Sequence, residues 1–296
     1  MGVVSKTAIV IAVVWVAAVV FCWWLQQKVL FYPATDMGPY VPPNYISFHL
    51  DEKGQPVDRT DKTISGWYIP GGDKTVLFCH GNTGNISHRD YLIDLCQLYN
   101  LGVIVFDYSG YGLSGGQPST GTIFKDAERA YRYAISQIPA DHLIIWGESL
   151  GGSAATHLAS RFPCAALVLL ATFSSLDDIL IYNQTPYSSV LSFGLRVASN
   201  TLRSKDKIAS VQSPVAIVHS LDDTLIPFQC AKELYHRVTS TKKLIPIHGG
   251  HATPMVSVDQ MIELMEFLGL TQRPDTEDIQ RVLHNIRTAA QRHGLV

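Results

Sequence analysis

Six short apolar runs, residues 75–79, 103–106, 143–146, 166–170, 215–219 and 243–247, alternate with stretches of helical spacing at 85–98, 120–137, 149–161, 228–237 and 256–268. A strand that is apolar on successive side chains has to be covered on both faces, and helical crossovers supply that cover. The alternation predicts an α/β domain on a mostly parallel, doubly wound sheet. Residues 45–50 and 63–69 read as an antiparallel pair placed ahead of it, joined by a polar turn. In such sheets ligands sit beyond the carboxyl ends of the strands, so the loops after each run carry the functional information. The chain is 47% apolar and 16% charged, which fits a filled core and excludes general disorder. A formal net charge of −2, with no basic stripe, excludes nucleic acid as an expected partner.

The run 143–146 leads directly into Gly147-Glu148-Ser149-Leu150-Gly151-Gly152, and small residues follow. Gly-x-Ser-x-Gly between a strand and a helix forces a sharp turn that lifts the serine hydroxyl above the sheet edge. The helix start then offers free backbone N–H groups beside that hydroxyl, where an oxyanion would form. A serine hydroxyl needs a base to take its proton and an acid to hold that base in one tautomer. The run 215–219 ends in Ser220-Leu221-Asp222-Asp223, which offers two adjacent carboxylates. Asp223 is the expected acid, and Asp222 is the alternative, read as a turn or capping residue. The run 243–247 ends in His248-Gly249-Gly250-His251. His251 is the expected base, brought back over the sheet by the two glycines, and His248 is expected to be structural. After the run 75–79, His80-Gly81-Asn82-Thr83-Gly84-Asn85 is small and glycine-rich. The oxyanion donors expected are the Asn82 and Leu150 N–H groups, with His80 fixing the loop.

Gly110-Tyr111-Gly112-Leu113-Ser114-Gly115 matches the dinucleotide-binding pattern in form, but Gly116-Gln117-Pro118 follows where a helix would have to start. No Gly-Lys-Ser/Thr follows Gly84, and the chain has no His-Glu-x-x-His. No metal or other cofactor is expected. Cys22, Cys79, Cys96, Cys164 and Cys230 are scattered and read as small apolar residues.

Residues 7–27 carry no charge and are long enough for a bilayer core of about 30 Å. Residues 1–28 are therefore expected to be a single-pass membrane anchor, favoured over a cleaved signal peptide because Trp23-Trp24-Leu25-Gln26 offers no small-x-small site. Lys6 and the N-terminal amine against Lys28 lean the catalytic domain to the non-cytoplasmic side. Residues 29–44 form an aromatic and proline-rich connector. Residues 172–210 break the alternation and read as a lid or as a helix packed on the sheet. Residues 271–296 hold an amphipathic helix that docks on the domain or lies on the membrane.

The loop 80–85, Asp107-Tyr108-Ser109-Gly110-Tyr111-Gly112-Leu113-Ser114, the elbow at Ser149 and the pair Asp223 and His251 resemble the α/β-hydrolase superfamily. More narrowly, the chain resembles its membrane-anchored α/β-hydrolase domain proteins, with a prolyl-oligopeptidase-like catalytic core. The likeness covers residues 45–270, with Ser109 where the family often has arginine and Ser220 where glycine is frequent. It implies an α/β-hydrolase fold with a short lid (172–210), preceded by one transmembrane helix. It also implies serine hydrolysis of acyl esters or thioesters, with lipid-like substrates and the bilayer as partners. A serine peptidase, or a catalytically silent membrane adaptor of the same fold, are the alternatives.

Overall fold

The computed structural model describes residues 8–17, 20, 30–183 and 202–293. One nine-stranded sheet organises the chain. Its strands are β2 (Ile46–Leu50), β3 (Ile64–Ile69), β4 (Thr75–Cys79), β6 (Gly102–Phe106), β7 (Leu143–Glu148), β8 (Ala166–Leu170), β9 (Val215–Ser220), β10 (Lys242–Gly250) and β11 (Thr253–Met255). They lie in the order β11-β10-β9-β8-β7-β4-β6-β3-β2. The six strands from β10 to β6 are parallel; β3 and β11 join them antiparallel, and β2 pairs antiparallel with β3. A separate two-stranded ladder joins β1 (Tyr32–Pro33) to β5 (Thr83–Gly84).

Side chains alternate across the sheet with the period of two that a strand imposes. Leu77, Ile104, Ile145, Leu167 and Ile217 face one core, shared with α2 (Thr122–Gln137), α3 (Gly151–Ala159) and α5 (Phe228–Arg237). Val76, Val103, Trp146, Val168 and Val218 face the other, shared with α1 (Asp90–Leu98), α6 (Val258–Phe267) and α7 (Thr276–Arg292). Helix α7 buries Ile279, Val282, Ile286 and Ala289, and Arg292 and His293 beyond them hold Asp90 at 2.7 and 2.8 Å. The amphipathic C-terminal segment thus docks on the domain.

Three local readings change. The expected helix at 85–98 begins as a 3-10 turn, Ile86–His88, capped by Asn85, and becomes α-helical only from Asp90. The glycines ahead of His251 belong to β10, which turns over residues 251–252 and returns as β11. His251 therefore stands at a hairpin tip, where strand pairing fixes it better than a glycine loop would. The connector also does more than line the domain: Phe31 is buried, and the Tyr32 and Ala34 N–H groups donate to Asn82 and Gly84 at 3.0 and 3.2 Å.

Of the expected lid, α4 (Leu176–Tyr182) and residues 202–210 are described, while 184–201 lie outside the described residues. Its two roots are clasped by Lys205 to Asp178 at 2.7 Å and Arg203 to Asp177 at 2.7 Å. The expected anchor at 1–28 falls mostly outside the described residues too. Residues 8–17 are helical, and among the described residues no helix is long and apolar enough to cross a membrane.

Candidate active site

The carboxyl ends of β4, β7, β8, β9 and β10 are consecutive in the sheet. The loops that follow them bring Asn82, Ser149, Ala171, Asp223 and His251 into one region. Strand axes are about 4.8 Å apart, so a group after β7 and one after β9 are separated by roughly two strand spacings. An imidazole is long enough to bridge that interval. His251 does so: its Nε2 is 3.0 Å from Ser149 Oγ and its Nδ1 is 2.7 Å from Asp223 Oδ2.

Ser149 has φ +51, the left-handed region, which in a residue bearing a Cβ costs roughly 1–2 kcal/mol. Its surroundings hold it there. The Ser149 N–H donates to Leu170 at 2.9 Å, and its carbonyl accepts from the Thr172 hydroxyl at 2.7 Å and the Gly152 N–H at 3.0 Å. In a trans peptide the Leu150 N–H points opposite to that carbonyl, away from the Thr172 hydroxyl. The glycines answer to close packing. A Cβ on Gly147 would stand 2.6 Å from that of Ala155, and one on Gly151 would run into the Cys79 carbonyl.

The same peptide logic orients the other loop. His80 Nδ1–H donates to the Gly81 carbonyl at 2.7 Å, which turns the Asn82 N–H away from it. A Cβ on Gly81 would lie 3.6 Å from Ser149 Cβ, so this loop runs directly beside the serine. Tyr111 Oη and Tyr108 Oη brace it by donating to the Asn82 and His80 carbonyls at 2.7 and 3.1 Å. His80 itself is wholly buried, and desolvation with the nearby Arg89 charge lowers its pKa to about 3. Its neighbour Asp107, 3.5 Å away and equally buried, is pushed up to about 8 by desolvation.

Asp223 is buried. Burial alone would raise its pKa, but the His251 hydrogen bond and charge, the Ile226 N–H and His219 outweigh that and hold it below the usual value. Its Oδ1 accepts the Leu225 and Ile226 N–H groups at 2.9 and 2.8 Å. Asp222 is exposed instead and takes the His248 ring and the Gly249 N–H, at 2.8 and 3.1 Å. The adjacent carboxylates are thus divided between the His251 imidazole and the hairpin that carries it. Such an assembly can pass a proton from hydroxyl to imidazole and stabilise the imidazolium that results.

Ser149 and His251 open into a small pocket of about 100 Å³. Its lining includes residues for which the sequence reading had no role. Arg89 and Tyr91 come from the start of α1, Glu148 precedes the serine, and Ile286, Ala289 and Ala290 come from α7. The Tyr91 hydroxyl donates to Glu148 at 2.6 Å. Among the described residues no cluster of His, Cys, Asp and Glu could hold a metal ion.

A family profile described as the alpha/beta hydrolase fold matches residues 74–187. An uncharacterized Mycobacterium tuberculosis protein is 30% identical over 255 residues, 83% of this chain and 87% of its own. Alpha/beta hydrolase domain-containing protein 17C of Xenopus tropicalis is 31% identical over 215 residues, 67% of this chain and 63% of its own. Among solved structures, the Pyrococcus furiosus esterase Pf2001 superposes with a TM-score of 0.63 at 20% identity, covering 81% of this chain and 97% of that one.

Proposed function

The chain belongs to the α/β-hydrolase superfamily, and from that premise we propose that it is a serine hydrolase that cleaves carboxylic ester or thioester bonds of acyl substrates. The observation that carries this reading is the single imidazole of His251, in contact with both Ser149 Oγ (3.0 Å) and Asp223 (2.7 Å).

Ser149 Oγ attacks the acyl carbonyl as its proton passes to His251 Nε2. Asp223 keeps the His251 Nδ1–H in place and stabilises the imidazolium. The tetrahedral oxyanion is held by the Asn82 and Leu150 N–H groups, each such donor being worth about 10² to 10³ in rate. His251 then hands its proton to the departing alcohol or thiol. A water molecule, deprotonated by the same imidazole, releases the acid and restores the serine. General-base action of this kind contributes about 10² to 10⁴.

An apolar acyl portion suits the Leu170, Pro254, Ile286 and Ala289 lining. The same reading keeps the protein at a bilayer, supported by helical Ile9, Val10, Ile11, Val13 and Val14, all more than half exposed. Fluorophosphonate labelling tests the chemistry: the wild type should react and Ser149→Ala should not. Equal labelling of both, or of neither, would remove the proposal. A p-nitrophenyl ester series from acetate to laurate, run beside acyl thioesters, tests the substrate class. Preference for acetate alone would exclude the acyl-chain reading.

A further inference from the structure

Arg89 lines the pocket that holds Ser149, yet it is 4% exposed. A guanidinium stays protonated at any accessible pH and carries five N–H donors. Here it donates to the Thr83 and His88 carbonyls, the latter at 3.3 Å, and its Nε–H has no acceptor. Among the described residues no carboxylate lies within ion-pair distance of it. The nearby acids are committed elsewhere. Both oxygens of Asp90 are taken by Arg292 and His293. Glu148 accepts from Tyr91. Asp107 accepts the Ile86 N–H at 3.0 Å on Oδ1 while its Oδ2 has no partner, and burial, against the pull of the Arg89 charge, pushes its pKa up to about 8 and so favours the neutral acid. A buried cation with no ion-pair partner is expensive to maintain, and neutral carbonyls repay only part of that cost.

His88 stands beside it on the pocket wall. Its Nδ1 accepts the Asn85 N–H at 3.1 Å, which leaves the ring proton on Nε2 as a further donor.

We propose that Arg89, with His88 beside it, is the seat of an anionic group on the substrate: a carboxylate or phosphate carried a few atoms from the scissile carbonyl. This rests on the hydrolase reading above and narrows its substrate class. The protein withholds its own carboxylates from Arg89, and the substrate completes the ion pair. A bidentate Arg–oxyanion contact is among the stronger polar interactions available.

The test uses two matched ester pairs. Mono-p-nitrophenyl succinate beside p-nitrophenyl valerate places a carboxylate on the acyl side. The monobutyrate of glycerol 3-phosphate beside monobutyrin places a phosphate on the alcohol side. The wild type should favour the anionic member of one pair by at least about tenfold in kcat/KM, and the pair that responds identifies the source of the charge. Arg89→Gln should lower that member at least about tenfold more than its neutral partner, chiefly through KM, and Arg89→Lys should restore part of the difference. Inorganic phosphate should raise the thermal midpoint of the wild type above that in chloride of equal ionic strength. The effect should vanish in Arg89→Gln, a readout that needs no turnover and no variant to demonstrate in the first instance.

Equal losses on charged and neutral esters would reduce Arg89 to a brace for the Thr83 carbonyl and overturn the proposal. Wild-type indifference to both anions, with no phosphate stabilisation, would overturn it as well. Failure of the parent reading looks different, since no ester would be cleaved and Ser149 would resist the fluorophosphonate.

Discussion

Replacing Asp223 by asparagine should disable the enzyme through a tautomer rather than through loss of shape. In the wild type, Asp223 Oδ1 accepts two backbone N–H groups, from Leu225 and Ile226, and Oδ2 accepts the His251 Nδ1–H. An asparagine has one acceptor oxygen and one donor group at that position. If its oxygen stays with the two backbone donors, its NH₂ faces His251 Nδ1, which must then act as acceptor. The ring proton moves to Nε2, the nitrogen 3.0 Å from Ser149 Oγ, and that nitrogen can no longer take the hydroxyl proton. Flipping the amide would restore the tautomer but leave two N–H donors facing an NH₂, at about 1–3 kcal/mol each. The unproductive arrangement therefore wins by roughly 2–6 kcal/mol. Adding the lost stabilisation of the imidazolium, kcat should fall by about 10³ to 10⁴, or roughly 4–5.5 kcal/mol of barrier. Steady-state hydrolysis of p-nitrophenyl butyrate, normalised by active-site titration, gives the number. Asp222→Asn should stay within about threefold, because that carboxylate is exposed and meets only His248 and Gly249. A D223N rate within tenfold of wild type, or a D222N defect larger than the D223N one, would refute the assignment.

Other outcomes follow from the same geometry. Between about pH 4 and 6.5, His80 and Asp107 should oppose each other in stability. The histidine, held near 3 in the fold, favours folding more as pH rises towards 6.5, whereas the carboxyl, held near 8, favours folding less as pH rises from 4. Urea titrations should thus be nearly flat for the wild type, rise with pH for Asp107→Asn and fall with pH for His80→Gln, with slopes of up to about 1.4 kcal/mol per unit; slopes of the same sign in both variants would refute the pairing. Gly151→Ala forces a Cβ into the Cys79 carbonyl and should destabilise the fold by about 3 kcal/mol or more, read as loss of soluble protein or of thermal midpoint. Asp90→Asn removes the carboxylate that joins Arg292 and His293 and should cost about 1–3 kcal/mol. Limited proteolysis should then cut within 276–292 first, and an unchanged digestion pattern would argue that apolar contacts alone hold α7.

The parallel sheet was readable because each central strand is a continuous apolar run ended by a turn, and burial on both faces leaves that mark locally. That Ser149, Asp223, His251 and the loop at Asn82 converge was readable for a related reason: each follows such a run, where the topology exposes loops on one edge. Arg89, Tyr91 and Glu148 carry no comparable mark. Each reads as an ordinary residue of a helix start or turn, and only contacts such as Tyr91 to Glu148, 57 positions apart, bring them to the pocket. The connector strand was missed because a two-residue ladder, β1 on β5, has no periodicity to detect. The hairpin at His251 was read as a glycine loop because Gly249, at φ +94, looks like a strand breaker although it sits within β10.

Helix α7 supplies Ile286, Ala289 and Ala290 to the pocket but no atom to the Ser149, His251 and Asp223 assembly. On the proposed hydrolase reading, reactivity and selectivity would therefore be written on different stretches of chain. Substitutions along one face of that helix can recut the cavity for another acyl shape while the bond-breaking apparatus stays untouched, so descendants of this scaffold could diversify their substrates without ever passing through an inactive intermediate.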